Sequence, residues 1–198
     1  MTIGRLLELG RIGDAGPPLA VNLADLQTGA PVVVDSASAE LGAGLPPTEI
    51  DGKWFCDGGF SANLPLHAVL DPPPETDVVC MAVDLLGEPG PPIFSVDGMM
   101  ERSNDLLFAN QTRAAIATLK ARYAARVDGG SVLVLLLACN GEGERLSQIW
   151  DYSRRSLHER WRAGYDAGID LVGQIRDTEP PPPGRFEVRS VVPSAVPS

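Results

Sequence analysis

Residues 51–70 read Asp-Gly-Lys-Trp-Phe-Cys-Asp-Gly-Gly-Phe-Ser-Ala-Asn-Leu-Pro-Leu-His-Ala-Val-Leu, and the acidic residue Asp57 stands where a strand pattern meets a turn. The apolar run from Trp54 to Cys56 predicts a short strand that ends at Asp57. The pair Gly58 and Gly59 predicts a sharp turn with positive φ, a conformation that a Cβ would disfavour. The sequence therefore predicts a carboxylate held at the end of a strand.

The turn leads into a predicted helix. Asn63 is a residue type that caps helices and Pro65 fits a first turn, ahead of the apolar positions Leu66, Val69 and Leu70. A carboxylate fixed between a strand and a helix has the rigid placement expected of a catalytic base at the edge of an α/β sheet. An Asp-Gly-Gly after a strand is also common as a simple turn. On these residues alone, both interpretations stay open.

The wider segment 46–66 resembles the block that carries the catalytic Asp of patatin-like phospholipases. Residues 19–35 resemble the hairpin that precedes this block, and residues 151–164 resemble the C-terminal helix of a bacterial branch of the family. The resemblance covers most of residues 19–175. It implies a patatin-like fold and the hydrolysis of lipid or other acyl esters by a Ser-Asp dyad, without a metal or another cofactor.

The resemblance assigns the role of catalytic base to Asp57, with Gly58 and Gly59 completing the Asp-Gly-Gly motif. In the family this base activates a serine held in a Gly-x-Ser-x-Gly elbow, a motif that occurs nowhere in the 198 residues. The nearest string lacks its second glycine, so its Ser61 is predicted to be an ordinary serine where a helix begins. The glycine-rich oxyanion loop and the first strand and helix are missing too. Residues 35–46 are shorter than in relatives.

Three hypotheses remain for the function. The first is a truncated hydrolase that retains the dyad Asp, with the serine and the oxyanion loop on a missing part. The second is a catalytically inactive patatin-like scaffold that binds a lipid or protein partner. The third is a complete hydrolase that uses Ser36 or Ser38, neither of which lies between glycines as an elbow requires.

The composition limits the partners and the compartment. Of the 198 residues 44% are hydrophobic and 21% charged, which fits a folded globular domain, and the net charge of −10 argues against nucleic-acid binding. We find no apolar run long enough to span a bilayer and no secretory signal, so we predict a cytoplasmic protein. The three cysteines, Cys56, Cys80 and Cys139, each lie in an apolar run and are predicted to be free thiols.

The order of the elements predicts an α/β layered domain with a mostly parallel sheet. A hairpin is predicted over residues 19–34, followed after the Asp57 block by an inner strand at 78–83, a helix at 99–127 capped by Ser95 or Asp97, and a second apolar strand at 131–139. A strand, a long helix and a strand in this order indicate parallel pairing. Tyr123 is predicted to lie in the core.

The domain boundaries follow from composition. Residues 1–18 are predicted to be irregular, residues 19–176 to form the partial domain, and residues 177–198 to be a flexible Pro-rich tail. A sheet without its first strand exposes an edge, which predicts possible self-association there.

Several other features receive structural interpretations. The last helix, predicted from about 153 to 175, carries an apolar stripe that we interpret as a packing face. Glu142 and Glu144 lack the further ligands that a metal site needs. His67 and His158 are interpreted as solvated or locally bonded imidazoles.

Overall fold

The computed structural model describes residues 20–35, 47–84, 94–126, 128–138, 153–176, 178–179 and 181–191. These residues form a mixed α/β structure with seven strands and four helices. The chain separates into two compact units, Met1–Ala68 and Val69–Ser198. The sequence analysis predicted one domain over residues 19–176, without a boundary inside it.

The first unit contains a four-stranded antiparallel sheet in the order β2-β1-β4-β3. Its elements are β1 (Ala20–Asp25), β2 (Pro31–Asp35), β3 (Thr48–Ile50), β4 (Lys53–Asp57) and the short helix α1 (Gly59–Ala62). A second short helix, α2 (His67–Leu70), spans the boundary between the units.

The predicted hairpin is confirmed, because β1 and β2 pair from Ala20 opposite Asp35 to Ala24 opposite Pro31. The Asp25 carboxylate fixes its turn by accepting hydrogen bonds from the backbone N–H groups of Thr28 at 2.9 Å and Gln27 at 2.8 Å. These bonds lower the pKa of Asp25 below its usual value.

A second hairpin joins β3 to β4 and is absent from the sequence prediction. Asp51 and Gly52 form its two-residue turn with φ angles of 50° and 75°. Positive φ at both central residues is what a tight hairpin requires, and Asp-Gly supplies it at low cost. This turn adds β3 to the edge of the sheet beside the strand that carries Asp57.

The second unit contains a three-stranded parallel sheet in the order β5-β6-β7. Its elements are β5 (Val78–Asp84), α3 (Val96–Ala124), β6 (Val132–Ala138), α4 (Arg154–Arg176) and β7 (Phe186–Val191). The predicted parallel pairing of the two apolar strands through a helical crossover is confirmed. The predicted cap of α3 by Ser95 is confirmed as well. The Ser95 hydroxyl accepts a hydrogen bond from the backbone N–H of Gly98 at 3.2 Å.

Helices pack on both faces of this sheet. Ala167 and Leu171 of α4 join a buried cluster with Leu133, Leu135, Leu137 and Val191. On the opposite face the buried ring of Tyr123 from α3 lies 5.0 Å from that of Phe186, which pairs with Val132. The prediction that Tyr123 is a core residue is therefore confirmed.

Four predictions about this fold need correction. The sheet that carries Asp57 is antiparallel, whereas a mostly parallel sheet was expected. Strand β5, predicted to be an inner strand, is the outermost of the described strands of its sheet. Part of the predicted flexible tail, Phe186–Val191, is a strand that pairs with β6. Most of the apolar stripe of α4 is exposed, because the helix packs on the sheet through Ala167 and Leu171, which lie beside the stripe.

None of the described helices combines the length and the apolar character that crossing a bilayer requires.

Candidate functional site

The candidate site centres on Asp57, which is the last residue of β4 and pairs with Leu23 of β1. Phe55 and Cys56, directly before it, are buried, whereas Asp57 itself is exposed. The predicted position of this carboxylate at the end of a strand is confirmed. The strand therefore anchors the backbone of Asp57 in the core and presents its side chain to solvent.

Position 58 requires glycine because there is no space for a side chain. The prediction that Gly58 has a positive φ is wrong. Its φ is −63°, and the glycines with positive φ in the described part of the chain are Gly29, Gly52, Gly129 and Gly184. A Cβ on Gly58 would lie 2.1 Å from the backbone oxygen of Asn22. The turn after Asp57 therefore packs directly against the backbone of β1. Glycine is needed at position 58 because the two backbones lie so close together, and not because of a positive φ.

Asn22 is a residue of this site that the sequence analysis missed. Its Nδ2 donates hydrogen bonds to the backbone oxygens of Gly58 at 3.0 Å and Ala62 at 3.1 Å. It thereby ties β1 to both ends of α1 and fixes the turn that holds Asp57. Its Oδ1 is buried and has no hydrogen-bond partner in the part of the chain described. The signal that could have identified Asn22 is its polar amide side chain, which stands between Val21 and Leu23 in a predicted strand.

The Asp57 carboxylate is oriented by one backbone donor. Its Oδ1 accepts a hydrogen bond from the N–H of Gly59 at 2.7 Å. Among the described residues, no other hydrogen bond or ion pair involves this side chain. One carboxylate oxygen is therefore held in place, and the other accepts no hydrogen bond from a described residue.

None of the described serines is hydrogen-bonded to the Asp57 carboxylate. The Ser61 hydroxyl donates to the backbone oxygen of Gly58 at 3.0 Å, within α1, as expected of an ordinary serine in a helix. Ser36 and Ser38 lie outside the described residues. Asn63, predicted to cap the following helix, instead ends α1.

Cys56 is an unsuitable nucleophile despite its position next to Asp57. Burial raises the pKa of its thiol, and the negative charge of Asp57 raises it further. A nucleophilic cysteine needs the opposite, a lowered pKa in an electropositive setting. Cys80 is likewise a free thiol whose pKa is raised by burial, and Cys139 lies outside the described residues.

Metal and imidazole chemistry has no assembled site among the residues described. No group of three His, Cys, Asp or Glu side chains is placed there to hold a metal ion. Glu142 and Glu144 fall outside that part of the chain. His67 lies in α2 and the exposed His158 lies in α4, and neither is hydrogen-bonded to Asp57.

Comparison with protein-family models and with curated proteins found no match for this chain.

Proposed function

We propose that this chain carries the acid-bearing part of a patatin-like hydrolase of the Ser-Asp type, which acts on lipid or other acyl esters in the cytoplasm. The observation that carries the proposal is the Asp57 carboxylate, exposed at a strand-to-helix turn and aimed by the N–H of Gly59. Gly58 and Asn22 support this aim, because they lock the turn onto β1.

In the proposed mechanism Asp57 acts as a general base. A serine outside these residues attacks the ester carbonyl, and Asp57 takes the hydroxyl proton on its free oxygen. The proton then passes to the leaving alkoxide, which departs as the alcohol. In the second half Asp57 takes a proton from water as the water attacks the acyl-serine. As the bond between the acyl carbon and the serine oxygen breaks, Asp57 returns this proton to the serine oxygen, and the carboxylic acid is released. The N–H groups that stabilise the oxyanion belong to the same part as the serine.

A non-catalytic scaffold that binds a lipid or protein partner is the second candidate. The observation in its favour is a set of exposed apolar side chains on the first unit. Phe60, directly after the Asp-Gly-Gly motif, is 63% exposed, and Leu26, Val33 and Trp54 are also exposed. Exposed large apolar side chains on this unit are what the scaffold hypothesis requires, because contiguous apolar surface binds another surface.

Labelling with a fluorophosphonate, a reagent that modifies activated serines covalently, separates these candidates. The protein is purified as its cell makes it, labelled, and mapped by mass spectrometry. We expect one adduct on a serine outside residues 1–198, formed more slowly in Asp57→Asn. Asp51→Asn is the matched control, since it removes the same charge from an exposed turn of the same sheet and Asn tolerates positive φ.

Two outcomes contradict the proposal. An adduct on a serine within residues 1–198, such as Ser36 or Ser38, means that the chain holds its own nucleophile. A folded protein without any adduct means that Asp57 serves no activated serine, and the scaffold interpretation then holds.

A further inference from the structure

The side chain of Asn22 has a buried polar atom without a partner. Its Oδ1 is shielded from solvent and accepts no hydrogen bond from the described residues. A buried acceptor without a partner lowers stability, so its presence in a fold calls for a reason other than stability. A leucine of similar size would avoid this cost between Val21 and Leu23 of β1. What the amide adds over an apolar side chain is its Nδ2 donor group.

This donor group acts on α1, a helix too short to hold itself. The helix Gly59–Ala62 has four residues, and helices of this length depend on contacts from outside. Asn22 Nδ2 donates to the backbone oxygens of Gly58 and Ala62, which lie at the two ends of this single turn. The amide of β1 therefore fixes the position of α1 on the sheet.

The position of α1 decides the direction of the Asp57 carboxylate. The backbone of Asp57 is held by strand pairing with Leu23, without the side chain of Asn22. The carboxylate is oriented by the N–H of Gly59, which belongs to α1. Gly59 lies in the chain between the two residues whose oxygens Asn22 binds. A shift of α1 would therefore turn the carboxylate and leave the strand in place.

We infer that Asn22 is a positioning residue of the proposed reaction, which aims the Asp57 carboxylate through α1 and the N–H of Gly59. This inference rests on the proposed function. A catalytic group displaced by about 1 Å can slow a reaction by about 10²-fold. Asp57 takes a proton in both halves of the proposed mechanism, so a loss of aim slows both halves. The expected signature is a lower kcat with an unchanged KM.

Ester hydrolysis tests this role with two substitutions of Asn22. The protein, purified as its cell makes it, is assayed with p-nitrophenyl butyrate as parent, Asn22→Leu and Asn22→Ala. Leucine keeps the size of the side chain and removes both the donor and the unpaired acceptor, and alanine is the smaller variant that needs no space. We expect kcat to fall by about 10- to 100-fold in both variants, with KM within about twofold of the parent.

Asp25→Ala is the matched control. Asp25 lies in the same strand, and its carboxylate accepts two backbone hydrogen bonds, from Gln27 and Thr28. The control therefore loses as many hydrogen bonds as the Asn22 variants, but in the β1-β2 turn and not at α1. We expect it to lower stability in urea denaturation and to keep the kcat of the parent. A purely structural role of Asn22 would make its variants behave like this control.

Amide hydrogen exchange measured by NMR tests the structural step without an activity assay. The 198-residue chain is compared as parent, Asn22→Leu and Asp25→Ala. In Asn22→Leu we expect several-fold faster exchange of the N–H groups of Gly59 and Ala62, because α1 has lost its hold on β1. In Asp25→Ala these two groups are expected to exchange as in the parent.

The outcomes separate this inference from the proposed function. A parent that hydrolyses the ester, is inactivated by Asp57→Asn and keeps its kcat in both Asn22 variants overturns the positioning role alone. The same fall of kcat in Asp25→Ala also overturns it, because general destabilisation then explains the loss. Unchanged exchange of the Gly59 N–H in Asn22→Leu contradicts the step through α1. A folded parent without hydrolysis overturns the proposed function and this role together.

Discussion

Strands β5 and β6 are neighbours in the parallel sheet and almost equally apolar, yet their surroundings differ. Register pairs each residue of β5 with one of β6, from Val78 with Val132 to Asp84 with Ala138. Leu135 of β6 is 1% exposed, whereas its partner Met81 is 59% exposed. Helix α4 covers β6 and β7 on this face and leaves Val79, Met81 and Val83 of β5 uncovered.

This difference teaches that an apolar run predicts a strand, but it does not predict whether a helix packs on that strand and buries it. The position of a strand in its sheet decides how many neighbours it has, and the helices decide which of its faces are buried. Only burial stabilises, at roughly 25 cal/mol for each Å² of apolar surface removed from water. The stability of the second unit is therefore expected to depend on β6 far more than on β5.

The largest effect is expected from a cavity in the central strand. Leu135→Ala removes a side chain packed on all sides and is expected to lower the free energy of unfolding by about 2 to 5 kcal/mol. The matched variant Met81→Ala changes the partner residue on the same face and is expected to stay within about 0.5 kcal/mol of the parent. Urea denaturation measures both. Equal losses would show that β5 is covered as fully as β6.

An intermediate effect is expected where the chain approaches the start of β6. A Cβ on Gly130 would lie 2.0 Å from the backbone oxygen of Thr76, so Gly130→Ala forces the segment before β5 away from it. We expect a loss of about 1 to 3 kcal/mol by urea denaturation.

Gly164→Ala is the control for this substitution. A Cβ at this position in α4 meets open space, and alanine is the better helix former, so we expect a gain of up to about 1 kcal/mol. A Gly130→Ala variant as stable as the parent would contradict the close approach between the two segments.

A smaller effect, dependent on pH, is expected from the contact that joins the starts of β5 and β6. Asp77 Oδ1 accepts hydrogen bonds from the backbone N–H of Ser131 at 2.8 Å and from its hydroxyl at 2.7 Å. The backbone bond first, and the hydroxyl bond second, lower the pKa of Asp77. Its folded pKa thus lies below the unfolded value, so the ionised carboxylate stabilises the fold at neutral pH and this contribution is lost as pH falls through the folded pKa.

Asp77→Asn is therefore expected to be less stable than the parent at pH 7, by a margin that shrinks as the solution is acidified below about pH 4. Urea denaturation at several pH values measures the margin. Asp128→Asn, an exposed aspartate near the same strand, is expected to show no such trend. A margin for Asp77→Asn that is the same at pH 7 and pH 3 would contradict an ionised contact.

Much of the fold was predictable where short segments determine it. The β1-β2 hairpin follows from its turn residues, the parallel pair from two apolar runs around a long helix, and the start of α3 from Ser95. Strand β3 was missed because its three residues are too few to show an alternating pattern, although an Asp-Gly turn follows it. Strand β7 was missed because prolines precede it, although Phe186–Val191 then pairs along β6.

The site was predictable in part. Sequence alone placed Asp57 at the end of a strand and Ser61 in a local structural role. The reason for Gly58 depends on Asn22, which lies 36 positions earlier in the chain and becomes a neighbour only when β1 and β4 pair. Contacts of this kind cannot be derived from a local pattern. That Asp57 is a catalytic base stays a prediction.

Ester hydrolysis tests that role of Asp57 most directly. The protein, purified as its cell makes it, is assayed with p-nitrophenyl butyrate as parent, Asp57→Asn and Asp51→Asn, and kcat/KM is compared. Loss of a general base is expected to lower kcat/KM by about 10²- to 10⁴-fold in Asp57→Asn, with Asp51→Asn equal to the parent. Hydrolysis that is unchanged in Asp57→Asn, or a folded parent protein without hydrolysis, would contradict Asp57 as the base of an acyl-ester hydrolase.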